Sequence, residues 1–173
     1  GKEKNVFNIA VEGSFDDCQN IVKAMFTDKA FANEIKMSGV NSINWARIVA
    51  QSVYYFYSYF SIEDKSQPIN FSVPTGNFGD VYAGYLAKKM GLPIGKLLVA
   101  TNQNDILHRA ISKGEYNIEK VLETISPSMD IQLASNFERL LYDINNYDDI
   151  KTVSAMKDIK EKGRYKIDKD KLD

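Results

Sequence analysis

Phe71-Ser72-Val73-Pro74-Thr75-Gly76-Asn77-Phe78-Gly79-Asp80 reads as a buried strand, a turn bounded by glycines three apart, and the opening of a helix. Glycine at those two positions lets the backbone approach a neighbour closely and adopt dihedrals that a Cβ penalises. The helix predicted from Asp80 to about Met90 presents unpaired first-turn N–H groups and the positive end of its dipole. Such a mouth seats phosphate esters. Pro74 and Asp80 also have plain structural roles, as strand terminator and N-cap. A tight strand-to-helix turn can use its glycines for packing alone.

Upstream, Val6–Val11 alternates and is β-rich, which predicts a strand. Glu12-Gly13 turns the chain, and Ser14-x-x-Asp17 reads as a capping box opening a helix with Phe15, Ile21, Val22, Met25 and Phe26 on one face. Lys36–Gly39 is a connector. Ile43 to about Phe60 reads as a helix apolar nearly all round, and such helices are buried in large bodies. Downstream, Gly91-Leu92-Pro93 stops the helix that Asp80 opens. A strand over 96–100 and a helix over 106–112, capped by 101–105, come next. Helical pieces are predicted near 135–144 and 148–162, and the charged end, Lys157–Asp173, as a solvated helix and tail. Strands alternating with helices of about ten residues or more indicate an α/β fold with a parallel sheet and helices on both faces.

The 173 residues carry 44% apolar and 26% charged side chains and a net charge of -1, ordinary globular values that give no electrostatic case for nucleic acid or a membrane surface. No apolar run reaches the roughly 20 residues of a spanning helix. A single cysteine, Cys18, points to a reducing, cytoplasmic setting. No Cys/His/Asp/Glu grouping has metal-ligand spacing, so no metal is expected. The run Tyr54–Phe60 lacks interleaved cations and reads as packing surface.

A second constellation is Asn41-Ser42-Ile43-Asn44-Trp45-Ala46-Arg47. Asn and Ser are ordinary helix caps. Arg47, however, lies just over one turn inside the long helix, near its N-terminus, where a cation opposes the macrodipole. A bound anion reverses that penalty, because guanidinium holds phosphate in a bidentate fork. Two such mouths predict two phosphates in one pocket.

Set end to end, these segments resemble the threonine synthase family, pyridoxal-phosphate enzymes of the tryptophan-synthase-β fold type. The resemblance rests on Val11–Gln19, on Asn41-Ser42-Ile43-Asn44-x-x-Arg47, on Ser72–Asp80, on Ala83–Pro93, on Ala100–Asp105, and on Ser128–Ile131 with Ser135–Arg139. It implies part of a two-domain enzyme: residues 1–38 would end the small domain, and 39–173 would form part of the large cofactor-binding domain.

The implied reaction converts O-phospho-L-homoserine and water to L-threonine and phosphate, with pyridoxal 5'-phosphate as cofactor. The resemblance places Gly76, Asn77, Phe78, Gly79 and Asp80 on the cofactor phosphate, and Asn41, Ser42 and Arg47 on the substrate, chiefly its phosphate. Thr101 and Asn102 take no role from it. The family's Phe-Lys-Asp motif, with the lysine that binds the cofactor, does not occur in these residues. The start at Gly1 likewise suggests a piece of a longer chain, so no catalytic residue is expected here and the segment by itself should be inactive. Strand 5–11, without sheet neighbours, would then pair with a second copy or be poorly ordered. A related phospho-lyase, or a non-catalytic phosphate-binding module, would fit the same residues.

Overall fold

The computed structural model describes residues 3–12, 15–39 and 41–172, and of 15–17, 19, 20 and 169 the backbone alone. The expected Gly13 turn and the Ser14 end of the capping box lie outside the described residues. The chain forms two compact units, Gly1–Gly39 and Val40–Asp173.

In the first unit, α1 (Phe15–Thr27) is followed by the short α2 (Lys29–Glu34), capped by Asp28, whose side chain accepts from the Phe31 N–H at 3.1 Å. The strand predicted over Val6–Val11 does not form. Its alternation is real, but a strand is stable only when a neighbour takes its main-chain N–H and C=O groups. Phe7 and Ile9 are 80% and 85% exposed instead.

The second unit is built on a parallel pair, β1 (Ile69–Pro74) and β2 (Ile94–Ala100), with Val73 opposite Val99 and Pro74 opposite Ala100. Between them runs α4 (Gly79–Lys89), and α3 (Trp45–Ser61) packs on α4. This is the expected strand–helix–strand crossover of a mixed α/β fold. The α3 helix buries Ile48, Ser52 and Tyr55 but leaves Val53, Tyr54, Tyr57 and Phe60 more than half exposed. Its apolar circumference therefore exceeds what this unit covers, as its sequence implied.

Two features of the far end differ from expectation. After α5 (Ile106–Lys113), β3 (Glu115–Asn117) pairs antiparallel with β4 (Arg164–Lys166), which follows α6 (Phe137–Ile144) and α7 (Asp149–Lys162). The charged end is thus no loose tail. Tyr116 lies opposite Tyr165, and Ile167 is 3% exposed in the core. Three-residue strands carry too short a pattern to read, and pairing across nearly fifty positions decides them.

Helices α3 and α4 approach closely at Gly84. A Cβ there would lie 2.5 Å from Tyr55 Cε1, 2.6 Å from its Cζ and 3.0 Å from Leu97 Cδ2. The Tyr55 ring cannot swing aside freely, because it is buried and its hydroxyl donates to the Asp80 main-chain oxygen at 2.9 Å. In Gly84→Ala the gain in helix propensity, about 1 kcal/mol, competes with overpacking of about 1–3 kcal/mol. The variant is expected to unfold at lower urea concentration than the unchanged chain. An equal or higher midpoint would show that the helices separate at no cost.

Candidate functional site

Two cavities compete for attention. The larger, about 670 Å³, lies against α4, α6 and α7 and includes Tyr82, Lys89, Tyr142, Asp143 and Met156. Its central charges are already matched. Lys89 Nζ donates to Asp143 Oδ1 at 2.8 Å, and the Tyr82 hydroxyl donates to Oδ2 at 2.6 Å.

The smaller cavity, about 150 Å³, is lined by Ser42, Arg47, Gln51 and the whole run Pro74–Asp80. It joins the mouths of α3 and α4, segments thirty residues apart in sequence. Arg47 is exposed at its rim, and among the described residues no carboxylate pairs with it. The sequence predicts two phosphates in one pocket, and this is the cavity that brings both helix mouths together.

Each wall has a local cause. β1 ends where the Thr75 N–H bonds the Ala100 oxygen at 2.8 Å, still in ladder register. The chain then turns through Phe78, the N-cap of α4, at φ 65 and ψ 6. Asp80 is therefore not the N-cap; it sits in the first turn. Nor do the glycines carry the unusual dihedral, since among the described residues of this turn only Phe78 has positive φ. A left-handed non-glycine residue costs about 1–2 kcal/mol. Burial offsets that: the Phe78 ring is 5% exposed and packs edge-on against Phe137, centroids 5.4 Å apart. Gly76 is required for a different reason, a close approach to the Ser128 carbonyl. Helix α4 opens on the bond from the Tyr82 N–H to the Phe78 oxygen at 3.2 Å. The N–H groups of Gly79, Asp80 and Val81 accordingly have no acceptor inside the helix.

On the α3 side, Asn44 is the N-cap, its Oδ1 accepting from the Ala46 N–H at 2.9 Å. Arg47 thus falls within the first turn, closer to the mouth than its spacing suggested. Asn41 uses its side chain inside its own turn, accepting from the Ile43 N–H at 3.1 Å, and is not among the lining residues.

Sequence reasoning missed the residue that ties the two mouths together. Asn136, fully buried, donates through Nδ2 to the Ser42 oxygen at 2.7 Å and the Asn77 oxygen at 3.1 Å. Its own N–H adds a bond to the Asn77 oxygen at 3.1 Å. Arg139 extends the tie, with Nη2 on the Ile43 oxygen at 2.7 Å and its guanidinium 5.2 Å from the Trp45 ring. Asn102, which had no assigned role, proves to be a brace. It donates to Asp130 Oδ1 at 2.6 Å, beside donors from Asn104 and Thr124.

No protein-family model matches the chain. Individual proteins do. It is 49% identical over 164 residues to the threonine synthase of Pseudomonas aeruginosa, covering 95% of this chain and 35% of that protein. It is likewise 49% identical over 179 residues to the threonine synthase of Saccharomyces cerevisiae, covering 96% and 35%. The fold superimposes with a TM-score of 0.84 and 52% identity on the crystal structure of PLP-bound threonine synthase from Brucella melitensis, covering 93% of this chain and 35% of that one. The chain belongs to the threonine synthase family.

Within that family the chain spans about a third of the length of the relatives it matches. Among the described residues no lysine lines the smaller cavity, and no helix is long and apolar enough to cross a membrane. What the threonine synthase segment does hold is a small cavity walled by first-turn peptide N–H groups, one guanidinium and a glycine turn.

Proposed function

We propose that the protein containing this chain is a threonine synthase that uses pyridoxal 5'-phosphate to convert O-phospho-L-homoserine and water to L-threonine and inorganic phosphate. The observation that carries this reading is the single cavity lined by Ser42, Arg47 and Pro74–Asp80, in a chain about half identical to threonine synthases. The residues fit the phosphate end of such a cofactor. The Gly76 wall leaves no room for a Cβ, and the first-turn N–H groups of α4 point where an anion gains from the dipole. Gly76, Asn77, Phe78, Gly79 and Asp80 would hold that phosphate. When bound, the cofactor ring supplies the electron sink for carbanion chemistry.

Arg47 at the rim and Ser42 beside it would orient the substrate phosphate, with Asn41 shaping the turn that presents them. Residues 1–38 would finish a small domain and 39–173 contribute to the large one. The protein would be a cytoplasmic, carbon–oxygen lyase, with the lysine for its cofactor supplied from outside these residues. The exposed apolar positions of 5–11 would pair with other sheet strands, from the same protein or a second copy.

Arg47→Ala tests the substrate side in the intact protein. Losing one charge-assisted contact weakens binding by about 1.5–3 kcal/mol, roughly ten- to a hundredfold. The expected result is a KM for phosphohomoserine raised by that factor, with the cofactor's dissociation constant changed far less. An intact protein that binds phosphate but releases none from phosphohomoserine would instead favour a binding module. Unchanged KM in Arg47→Ala would remove Arg47 from the site.

A further inference from the structure

One group in the seat is unexplained by phosphate binding. Asp80 lines the cavity from the first turn of α4, and its Oδ1 is buried without a hydrogen-bond partner among the described residues. An acidic side chain suits a helix N-terminus when it is the only anion there. A phosphate arriving in the same small cavity makes it one of two, and a like charge nearby disfavours the ionised carboxylate.

The surroundings offer Asp80 little relief. From α3, Arg47 lines the cavity but forms no ion pair with it among the described residues, and Tyr55 donates to its main-chain oxygen. Strand β1 carries no ionisable side chain, and Ser128 and Asn136, which close on Gly76 and Gly79, are neutral. On α4 itself, Tyr82 is engaged with Asp143, and Lys88 and Lys89 lie in the last turn. Burial already holds the Asp80 carboxyl above the usual carboxylate range, with Tyr55 pulling the other way.

We propose that Asp80 is the proton carrier of this seat: it takes up a proton from solvent as a dianionic phosphate or phosphate ester binds, and its O–H donates to an anion oxygen. A buried carboxylic acid can be kept neutral to act as a donor in this way. The orphaned Oδ1 then acquires its missing partner, and Arg47 with the peptide N–H groups faces the dianion unopposed. The inference rests on reading the cavity as a phosphate seat. It adds a consequence that a plain seat lacks: affinity for dianions falls about tenfold per pH unit above the pKa of free Asp80.

Calorimetric titration of the chain with inorganic phosphate and with sulfate, in buffers of different ionisation heat, reads the proton directly. Sulfate takes up no proton itself near neutrality, so any uptake belongs to the protein. The expected result at about pH 8 is uptake of about one proton per ion bound. In Asp80→Asn, whose amide donates at any pH, uptake on sulfate binding should vanish, and sulfate affinity at that pH should rise roughly tenfold or more and stay flat between about pH 6 and pH 9. Sulfate bound without proton uptake, or uptake that persists in Asp80→Asn, overturns the proposal and leaves the seat standing. If neither anion binds, or both bind Arg47→Ala and Gly76→Ala as tightly as the unchanged chain, the seat falls with it.

Discussion

Asn136→Ala is expected to lower the stability of the chain by roughly 3 kcal/mol, on the order of 10 °C in Tm, the larger of the two strongest effects foreseen. The side chain is fully buried and spends both donor and acceptor capacity on the protein. Nδ2 satisfies the Ser42 and Asn77 oxygens at 2.7 and 3.1 Å, while Oδ1 accepts from Arg139 Nε at 3.1 Å. Truncation leaves the Ser42 oxygen and the Arg139 Nε short of a partner and opens a small void. An unsatisfied buried group costs about 1–3 kcal/mol. The loss is not confined to stability. Arg139 and Asn136 together anchor the 41–44 turn, so the α3 mouth should drift from the α4 mouth and anion affinity should fall with it. Urea unfolding and phosphate titration of the same variant check both. An unfolding midpoint within about 0.5 kcal/mol of the unchanged chain would show that the clamp is dispensable.

That clamp also marks where sequence reading stops. The glycine turn was legible because its chemistry is local: strand, turn and helix lie within about twenty residues, and their spacing states what they do. The partnership of the two helix mouths was inferred from charge, because Arg47 is misplaced on a helix unless an anion accompanies it. Asn136 gives no such signal. Its nearest partner, the Ser42 oxygen, is 94 positions away and is main chain, so no residue type at either end announces the bond. Phe78 was read as one letter of a motif, yet it carries the left-handed dihedral that glycine would normally take. Burial against Phe137 decides that, and burial is a property of the whole fold. Asn41 illustrates the converse. Its chemistry suits both a ligand and a turn, and the structure shows the turn bond, its Oδ1 accepting from the Ile43 N–H two residues on. Val6–Val11 failed because alternation states which face is apolar but not whether a neighbouring strand exists.

Gly76→Ala and Gly79→Ala, alike in the motif, are expected to part company. A Cβ on Gly76 would lie 2.7 Å from the Ser128 oxygen and 3.6 Å from Met129 Cα, all main-chain atoms. They cannot rotate away. The Pro127–Met129 turn that carries them closes with the Met129 N–H on the Ser126 oxygen at 2.9 Å. Asp130 then fixes the segment, accepting from the Thr124 N–H at 2.8 Å and hydroxyl at 2.7 Å and from Asn102 at 2.6 Å. Several donors hold the Asp130 carboxyl below the usual carboxylate range, Thr124 foremost. Alanine at 76 must therefore push this braced loop outward or tilt the turn into the cavity, at about 1–3 kcal/mol. At Gly79 the nearest atom to a Cβ is Asn136 Nδ2 at 3.4 Å, an ordinary contact. There the better helix propensity of alanine, up to about 1 kcal/mol, offsets the crowding, and stability should change by less than about 0.5 kcal/mol. Because Gly79 lines the cavity, its methyl group should still weaken phosphate binding. Denaturant midpoints and phosphate titrations of the pair separate the two roles: Gly76 holds the wall in place, and Gly79 keeps the seat open. Equal stability of the two variants would mean that the Ser128 loop yields freely, and that the wall of the seat is soft rather than preformed.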